Sequence, residues 1–496
     1  VSKATSVVER MAGQGGRLTL VSRWAFEFKL TLETAACPGA GYEGEVVDMP
    51  VLRDAEGNIL LPGSSIAGGL RSHLCDRLFG YYAPEPKDSV VGALFGPKVN
   101  PADPSARLRQ SRIIVDDAYG TLPEHSTTDI RDGVKIDGRS GTAEDHKKFD
   151  FELLPPGTSF TVRVEVAVDG ESDEARLLGA AVAALDGFTG GEIPVGARDS
   201  RGFGRCKASE WRCRRCDLST WDGWSKWLTT DPALPLGGQP SPSVLEAARS
   251  GLKDLQAEGT DKRRLVRFDL NLQCEDGLLI GSPNPDPDGP DSRHIRSGGE
   301  PILTGTGLVG AMRLQAVRIA KLLHGKVAGE ELVAGLFGPS LEGTTDKLSP
   351  QASRIRAEES PLRGGFTLGD TRIRIDRFTG GVFSGALLEE EPVYRSQASV
   401  RLELREPQKE QVGLMLLVIK DLLDGLIPVG GTVAVGRGIL KGTAVISEND
   451  GTGLLDAPIH IAEGRTVQDE VQLKVLDKLV KAFGDWKPRQ EETKGD

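Results

Sequence analysis

Cysteine, histidine and long apolar runs are scarce in this chain of 496 residues, and each scarcity removes a class of function. Six cysteines (Cys37, Cys75, Cys206, Cys213, Cys216 and Cys274) in so long a chain do not suggest a disulfide framework. Six histidines (His73, His125, His146, His294, His324 and His460) lack the paired spacing of a metal site or the partners of a catalytic triad. No apolar run approaches the roughly 18 residues of a membrane span, and no signal-peptide pattern stands at the start. A cytoplasmic protein without membrane contact is the expectation. Basic residues do not dominate either. The formal net charge of −11 argues against holding nucleic acid by bulk charge, although local clusters escape that test.

What the chain does contain, it contains twice. Leu61-Pro62-Gly63-Ser64-Ser65-Ile66-Ala67-Gly68-Gly69-Leu70-Arg71 returns as Leu303-Thr304-Gly305-Thr306-Gly307-Leu308-Val309-Gly310-Ala311-Met312-Arg313, an offset of 242. Leu94-Phe95-Gly96-Pro97 and Ser111-Arg112-Ile113 recur at the same offset, as Leu336-Phe337-Gly338-Pro339 and Ser353-Arg354-Ile355. Val134-Lys135-Ile136-Asp137 matches Ile373-Arg374-Ile375-Asp376 at 239. Gly196, Gly202 and Gly204 match Gly430, Gly436 and Gly438 at 234. Shared order with small drifts is the mark of a tandem duplication whose loops changed length. At 38% hydrophobic the chain can bury two ordinary cores.

Each half predicts the same elements. Trp24, Phe26, Phe28, Leu30 and Leu32 alternate with polar residues as in a half-buried strand, with a counterpart around Leu265–Leu272. A helix opens at Ser64-Ser65 with Ile66, Leu70, Leu74 and Leu78 four apart; its partner opens at Thr306 and carries Leu308, Met312 and Ile319 towards Leu322. Strands near 112–115 and 160–168 precede a second helix at 173–185, with counterparts near 354, 400–404 and 409–423. The glycine-rich loop and a last strand close each half. The order β-α-β-β-α-β is ferredoxin-like, so the expectation is an α+β chain of two tandem domains. Their bounds are 18–228 and 262–450, with a linker bearing a short helix at 229–261. An amphipathic helix at 465–484 and a disordered tail at 485–496 follow.

Several residues carry possible chemistry. Gly63-Ser64-Ser65 and Gly305-Thr306 offer N–H groups and hydroxyls at a helix start, where an anion is favoured; ordinary capping is the plainer alternative. The retained Arg71 and Arg313 favour phosphate contact. A nucleotide-binding P-loop is excluded, because the Lys-Ser/Thr ending is missing. Arg112 and Arg354 fit either of two roles, buried ion-pair partner or phosphate contact. Seven basic residues between Arg198 and Arg215 (Arg198, Arg201, Arg205, Lys207, Arg212, Arg214, Arg215) begin inside the glycine-rich loop, where a polyanion can approach the backbone. Cys213 and Cys216 with Cys206 upstream make a zinc grouping without an evident fourth ligand. Asp48, in the loop before the first helix, stands on the approach to the phosphate site and could hold a divalent cation or move a proton.

The succession Asp48-Met49-Pro50-Val51-Leu52-Arg53-Asp54, Leu61–Ser65 to Arg71, Val134–Asp137, Phe149-Asp150-Phe151-Glu152-Leu153 and Gly196 to Gly202-Phe203-Gly204 closely resembles the RAMP-superfamily backbone subunits of type III CRISPR–Cas effector complexes. It covers nearly all of residues 20–215 and, more loosely, 262–446, which is similar to the fused double subunit of the type III-D arrangement. The resemblance implies ferredoxin-like palms strung with other RAMP-family subunits along a CRISPR guide RNA. It also implies hairpins that kink the guide–target duplex, here expected within 119–148 and 358–395. In catalytic members the loop aspartate cuts complementary target RNA with a divalent metal, Mg²⁺ or Mn²⁺, and Asp48 falls on that position. A strict offset from Asp48 lands on Pro290; one gap brings Asp291 into place. Guide contacts are implied for Gly63, Ser64, Ser65, Arg71, Arg112, Lys135, Gly196, Arg198, Arg201, Gly202 and Gly204. The second-copy set is Gly305, Thr306, Arg313, Arg354, Arg374, Gly430, Gly436, Arg437 and Gly438. Two other readings stay open: a non-catalytic guide-binding subunit, and a metal-independent guide-processing endoribonuclease.

Overall fold

The computed structural model describes residues 20–42, 44, 47–98, 110–136, 143–231, 234–282, 289–339, 351–449, 452–455, 457–462, 467 and 469–488, with backbone alone at 134–136 and 143–147. Several expectations lie wholly or partly outside these residues: the side chain of Lys135, residues 137–142 of the first expected hairpin, the loop 283–288 ahead of Asp291, positions 465, 466 and 468 of the expected helix 465–484, and the tail from 489 onward.

The first copy runs β1 (Leu20–Leu32), α1 (Gly63–Phe79), α2 (Val90–Phe95), β2 (Ile113–Val115), β3 (Ala118–Thr121), β4 (Asp129–Ile136), β5 (Ala143–Leu153), β6 (Ser159–Asp169), α3 (Glu174–Thr189) and β7 (Cys206–Asp217). Its palm sheet is antiparallel throughout, with β1 between β7 and β6, and β2 and β3 on the far edge of β6. The second copy runs β8 (Leu265–Cys274), β9 (Ser292–His294), α4 (Gly305–His324), α5 (Lys326–Phe337), β10 (Ile355–Ala357), β11 (Asp370–Ile375), β12 (Val382–Glu391), β13 (Ser396–Arg405), α6 (Lys409–Leu423) and β14 (Lys441–Glu448). Here β8 lies between β14 and β13, and β10 flanks β13. Both copies are therefore ferredoxin-like α+β palms, each with a hairpin (β4–β5, β11–β12) inserted between its palm strands.

Strand alternation explains the cores. Trp24, Phe26, Phe28, Leu30 and Leu32 of β1 are buried against Ile66, Leu70 and Leu74 of α1 and the alanine-rich face of α3. Burying one such side chain contributes about 1.5–3 kcal/mol. In α4 the buried stripe is Leu308, Met312, Ala316 and Ala320, while Leu322 is exposed. Two residues past Ala320 is about 200° of helix turn, so the stripe cannot reach Leu322. A terminal helix, α7 (Glu470–Gly484), buries Leu479 and Phe483 against α6, and Trp486 packs on the same core. At the contact Gly413 of α6 lies under the Leu479 carbonyl, where a Cβ would come within 2.2 Å.

The chain divides into two compact units that cut across the repeat. The first is Val1–Asp129, Glu152–Ala197 and Gly204–Arg263. The second is Ile130–Phe151, Arg198–Phe203 and Arg264–Asp496, so it includes most of the first copy's hairpin and the turn of its glycine-rich loop.

Candidate nucleic-acid interface

The Asp48 loop is held by its own unit. Leu52 and Ala40 N–H groups donate to the Pro38 and Pro50 carbonyls, and Gly44 N–H donates to Val47, which folds the loop into a tight return. Asp48 itself is exposed. The next residue, Met49, accepts the Glu152 N–H at 2.9 Å, and the Glu152 carboxylate accepts the Val51 N–H at 2.8 Å and Arg53 at 2.7 Å. Burial alone would raise the Glu152 carboxyl; hydrogen bonds from Thr128, Val51 and Arg53 outweigh it and hold it below its usual range. Glu152 is thus a strap across the segment that presents Asp48. The strap was not among the expected site residues.

The second copy repeats the backbone part of this arrangement in its own unit, while the Glu391 carboxylate pairs with Arg293 at 3.2 Å. Bridges Ala36–Leu154 and Leu278–Val393 fix the correspondence at offsets of 242 and 239, which makes Glu391 the counterpart of Glu152. Ser292 and Arg293 of β9 run parallel to Glu390 and Glu391 of β12, so the residue entering the strapped segment is Asp291. Asp291 precedes the paired segment of β9 as Asp48 precedes Met49. Asp291 is also exposed, but its carboxylate accepts the Glu389 N–H at 2.9 Å. Buried His294 completes the strap, with ring nitrogens 2.9 Å from the Leu278 and Ile302 carbonyls; burial lowers its pKa.

At the helix starts, Ser64, Ser65 and Thr306 are exposed. The Gly63 N–H already donates to Asp117 at 2.7 Å, so the first anion at the α1 terminus belongs to the chain itself. The arginines that follow are engaged within the fold. Arg71 pairs with Glu85 at 2.9 Å, and Arg313 donates to the Phe337 and Gly338 carbonyls. Arg112 resolves to the ion-pair role: it is buried and donates through Nε and Nη2 to Asp169, which removes it from phosphate contact. Arg437 is corrected likewise, being buried between Asp370 and Glu390. Half-buried Arg354 donates toward the Glu406 carbonyl.

The glycine-rich loops owe their glycines first to the fold. Val195 N–H donates to Gly204 and Gly204 N–H to Ala35; Val429 N–H donates to Gly438 and Gly438 N–H to Gly277. A Cβ on Gly204 or Gly438 would stand 1.9 or 2.1 Å from the Val195 or Val429 carbonyl. Gly196 and Gly430 approach the Cys37 and Leu279 carbonyls in the same way. Exposed Arg201 remains available for a phosphate, while Arg198 lies 4.6 and 4.5 Å over the Phe149 and Phe151 rings. Much of the basic run is internally paired: Arg205 and Lys207 with Glu33, Arg212 with Glu27, and Arg215 with Glu174.

The zinc grouping does not form. Cys206 pairs with Leu32 and Cys216 with Arg23 towards opposite ends of β7, so strand geometry keeps them apart. Burial pushes the Cys213 thiol up to about 12, and Cys206 Sγ donates to the Ile193 carbonyl. Among the described residues no group of three histidines, cysteines or carboxylates is placed to hold a metal.

Of the expected hairpins, the second is well displayed. Ile373, Ile375, Val382, Phe383, Leu387 and Leu388 are exposed, and Phe378 at the tip is fully exposed. Exposed Arg374 stacks 5.0 Å from the Phe383 ring. No helix is long and apolar enough to cross a membrane among the described residues.

The RAMP superfamily model matches residues 29–207 and 271–441, one match in each copy. The CRISPR system Cms endoribonuclease Csm3 of Methanocaldococcus jannaschii is 29% identical over 210 residues, covering 38% of this chain and 80% of that protein.

Proposed function

The chain belongs to the RAMP superfamily, and from that membership we propose that it is a guide-RNA-binding backbone subunit of a type III CRISPR effector complex whose Asp48 loop cleaves guide-paired target RNA. The observation that carries this reading is the repeated strap. In both copies an exposed aspartate enters a segment bound to the base of an inserted hairpin strand. That arrangement ties each aspartate-bearing segment to the end of a hairpin strand. The relative's name, endoribonuclease, favours cleavage over guide binding alone.

The donor set fits a divalent ion of the Mg²⁺ or Mn²⁺ type. Such an ion commonly binds through one or two carboxylates and completes its shell with water and substrate phosphate. Asp48 would be its protein ligand, and the ion would supply charge neutralisation at the scissile phosphate. Glu152 fixes the loop, and Ser64, Ser65, Arg201, Thr306 and Arg374 meet backbone phosphates. Sequence would be read by base pairing, as guide systems delegate it to the RNA.

The test is a reconstituted effector with guide RNA and labelled target, with and without Mg²⁺. In D48A we expect one distinct cut to fall by about 10²–10⁴-fold with target binding retained, and removal of the metal to abolish that cut in the wild type. An unchanged cut pattern in the D48A/D291A double variant would make the chain a scaffold. For Asp291 a second reading has its own support, because its carboxylate already holds the Glu389 N–H. If D291A retains its cut but loosens the second unit, that aspartate is structural.

A further inference from the structure

We propose that Arg437 is a positioning residue of the second copy, one buried guanidinium that fixes the turn of the glycine-rich loop, the base of the hairpin and the segment carrying Asp291 as a single piece. What this means for cutting rests on the reading of Asp291 as a cleaving residue; the tie between loop and hairpin does not.

Arg437 stands between Gly436 and Gly438, whose φ of 88° and 79° are left-handed. Its side chain is 4% exposed. Nη1 donates to Glu390 and, at 3.2 Å, to the Thr432 hydroxyl, while Nη2 donates to Asp370. Thr432 opens the turn 432–437, so the guanidinium closes its own loop as it reaches out. Asp370 and Glu390 face each other across the base of hairpin β11–β12. Glu390 also accepts from Arg372, and on its other edge it runs beside Ser292. The preceding Glu389 N–H goes to the Asp291 carboxylate. Loop, hairpin and aspartate segment therefore meet at one side chain.

The charges in this cluster balance. Arg437 and Arg372 stand against Asp370 and Glu390, so losing either partner of the buried Arg437–Glu390 pair leaves a charge without compensation. The first copy makes the same tie with other chemistry. At offsets of 239 and 234 the positions of Asp370, Arg372, Glu390 and Arg437 are held by Arg131, Gly133, Phe151 and Phe203. There Phe203 packs edge-on against Phe151 at 5.7 Å, and Arg131 lies 5.1 Å over the Phe203 ring. Gly133 gives its space to Phe149, whose ring would be 2.2 Å from a Cβ. The residue before the last glycine of the loop thus grips the hairpin base in both copies, by an aromatic contact in one and by ions in the other. Two unrelated chemistries at matching positions point to the tie itself as what both copies keep.

Hydrogen exchange on the free full chain, and cut mapping in the reconstituted effector, test this together. R437M should speed exchange at 389–391 and 292–294 by about tenfold or more and leave 149–151 at the wild-type rate. In the effector it should slow the Asp291-dependent cut by about 10–10²-fold and spare the Asp48-dependent cut, the control within the same complex. R437K keeps the charge but offers one ammonium for two acids, so it should fall between. E390M/R437M should recover both readouts, because an apolar pair then replaces the ion pair and Asp370 and Arg372 remain as a balanced pair. Should R437M not fold, R437K and the double variant carry the same comparison. Unchanged exchange at the hairpin base in a folded R437M, equal slowing of both cuts, or a double variant no better than R437M would each overturn the proposal. If D291A removes no cut, the exchange measurements decide alone, so the two readings fail separately.

Discussion

Glu152 acts on the Asp48 loop much as a capping residue acts on a helix, taking an N–H and a guanidinium that would otherwise leave the segment loose. It does not face substrate, so it is a positioning residue. Replacing it with alanine should slow the Asp48-dependent cut by about 10–10²-fold, since small misplacements of a reacting group are costly, with target binding unchanged. E152Q should recover part of the loss through its amide oxygen. The carboxyl is depressed in the fold, so its contribution is present above its ordinary value of 4.5 and is lost as pH falls through the folded value. Subtracting the E152Q stability curve from that of the wild type should therefore give a difference that shrinks as pH falls below the ordinary value of 4.5 and is lost on passing the depressed folded value. A flat difference would show that the strap carries no charge-dependent work. Much at this scale was legible only as pattern. Glu152 lay in a visible motif, yet its role joins residues 101 apart in sequence, a distance that local patterning does not reveal. Arg112 looked the same whether it met phosphate or Asp169, and only burial separated the two.

Elements were more legible, because their signals are local. Alternation in β1 and four-residue spacing in α1 name the buried faces directly. The inserted hairpins were inferable only from the length between palm strands, and the tip of the second shows what was missed. Asp376, the acid that ends Ile373-Arg374-Ile375, accepts the Phe378 and Thr379 N–H groups at 2.7 and 3.1 Å and so builds the tip turn. Phe378 is then carried at full exposure, the kind of apolar wedge that enters between base steps. F378A should reduce distortion of a bound guide–target duplex, read as a weaker fluorescence rise from 2-aminopurine placed at the kink, while leaving the melting temperature unchanged. D376A should give the same loss with a small drop in stability of about 1 kcal/mol. An unaltered signal in both would remove the hairpin from duplex distortion.

For the whole molecule, the sequence divides cleanly into two copies but the packing does not. The second unit holds residues 130–151 and 198–203 from the first copy, and Arg131 meets Glu359 across 228 residues of chain. A repeat read from motif offsets predicts two self-contained domains, because offsets report ancestry and carry no information about which copy a loop settles on. Burial pushes the Glu359 carboxyl up against the pull of Arg131, so the pair is a balance that depends on both members. Removing one partner strands the other. R131Q should destabilise the second unit by about 3–5 kcal/mol, seen as faster hydrogen exchange in β8 and β13, although the substituted residue belongs to the first copy. E359Q should cost a similar amount. The R131Q/E359Q variant should regain most of the loss, since two neutral amides of similar size leave no buried charge. Additive losses in the double variant would mean that the turn 198–203 holds the unit together by backbone contact and the ion pair is incidental. A strong recovery would instead make this pair the residue-level reason that a first-copy hairpin is built into the second unit.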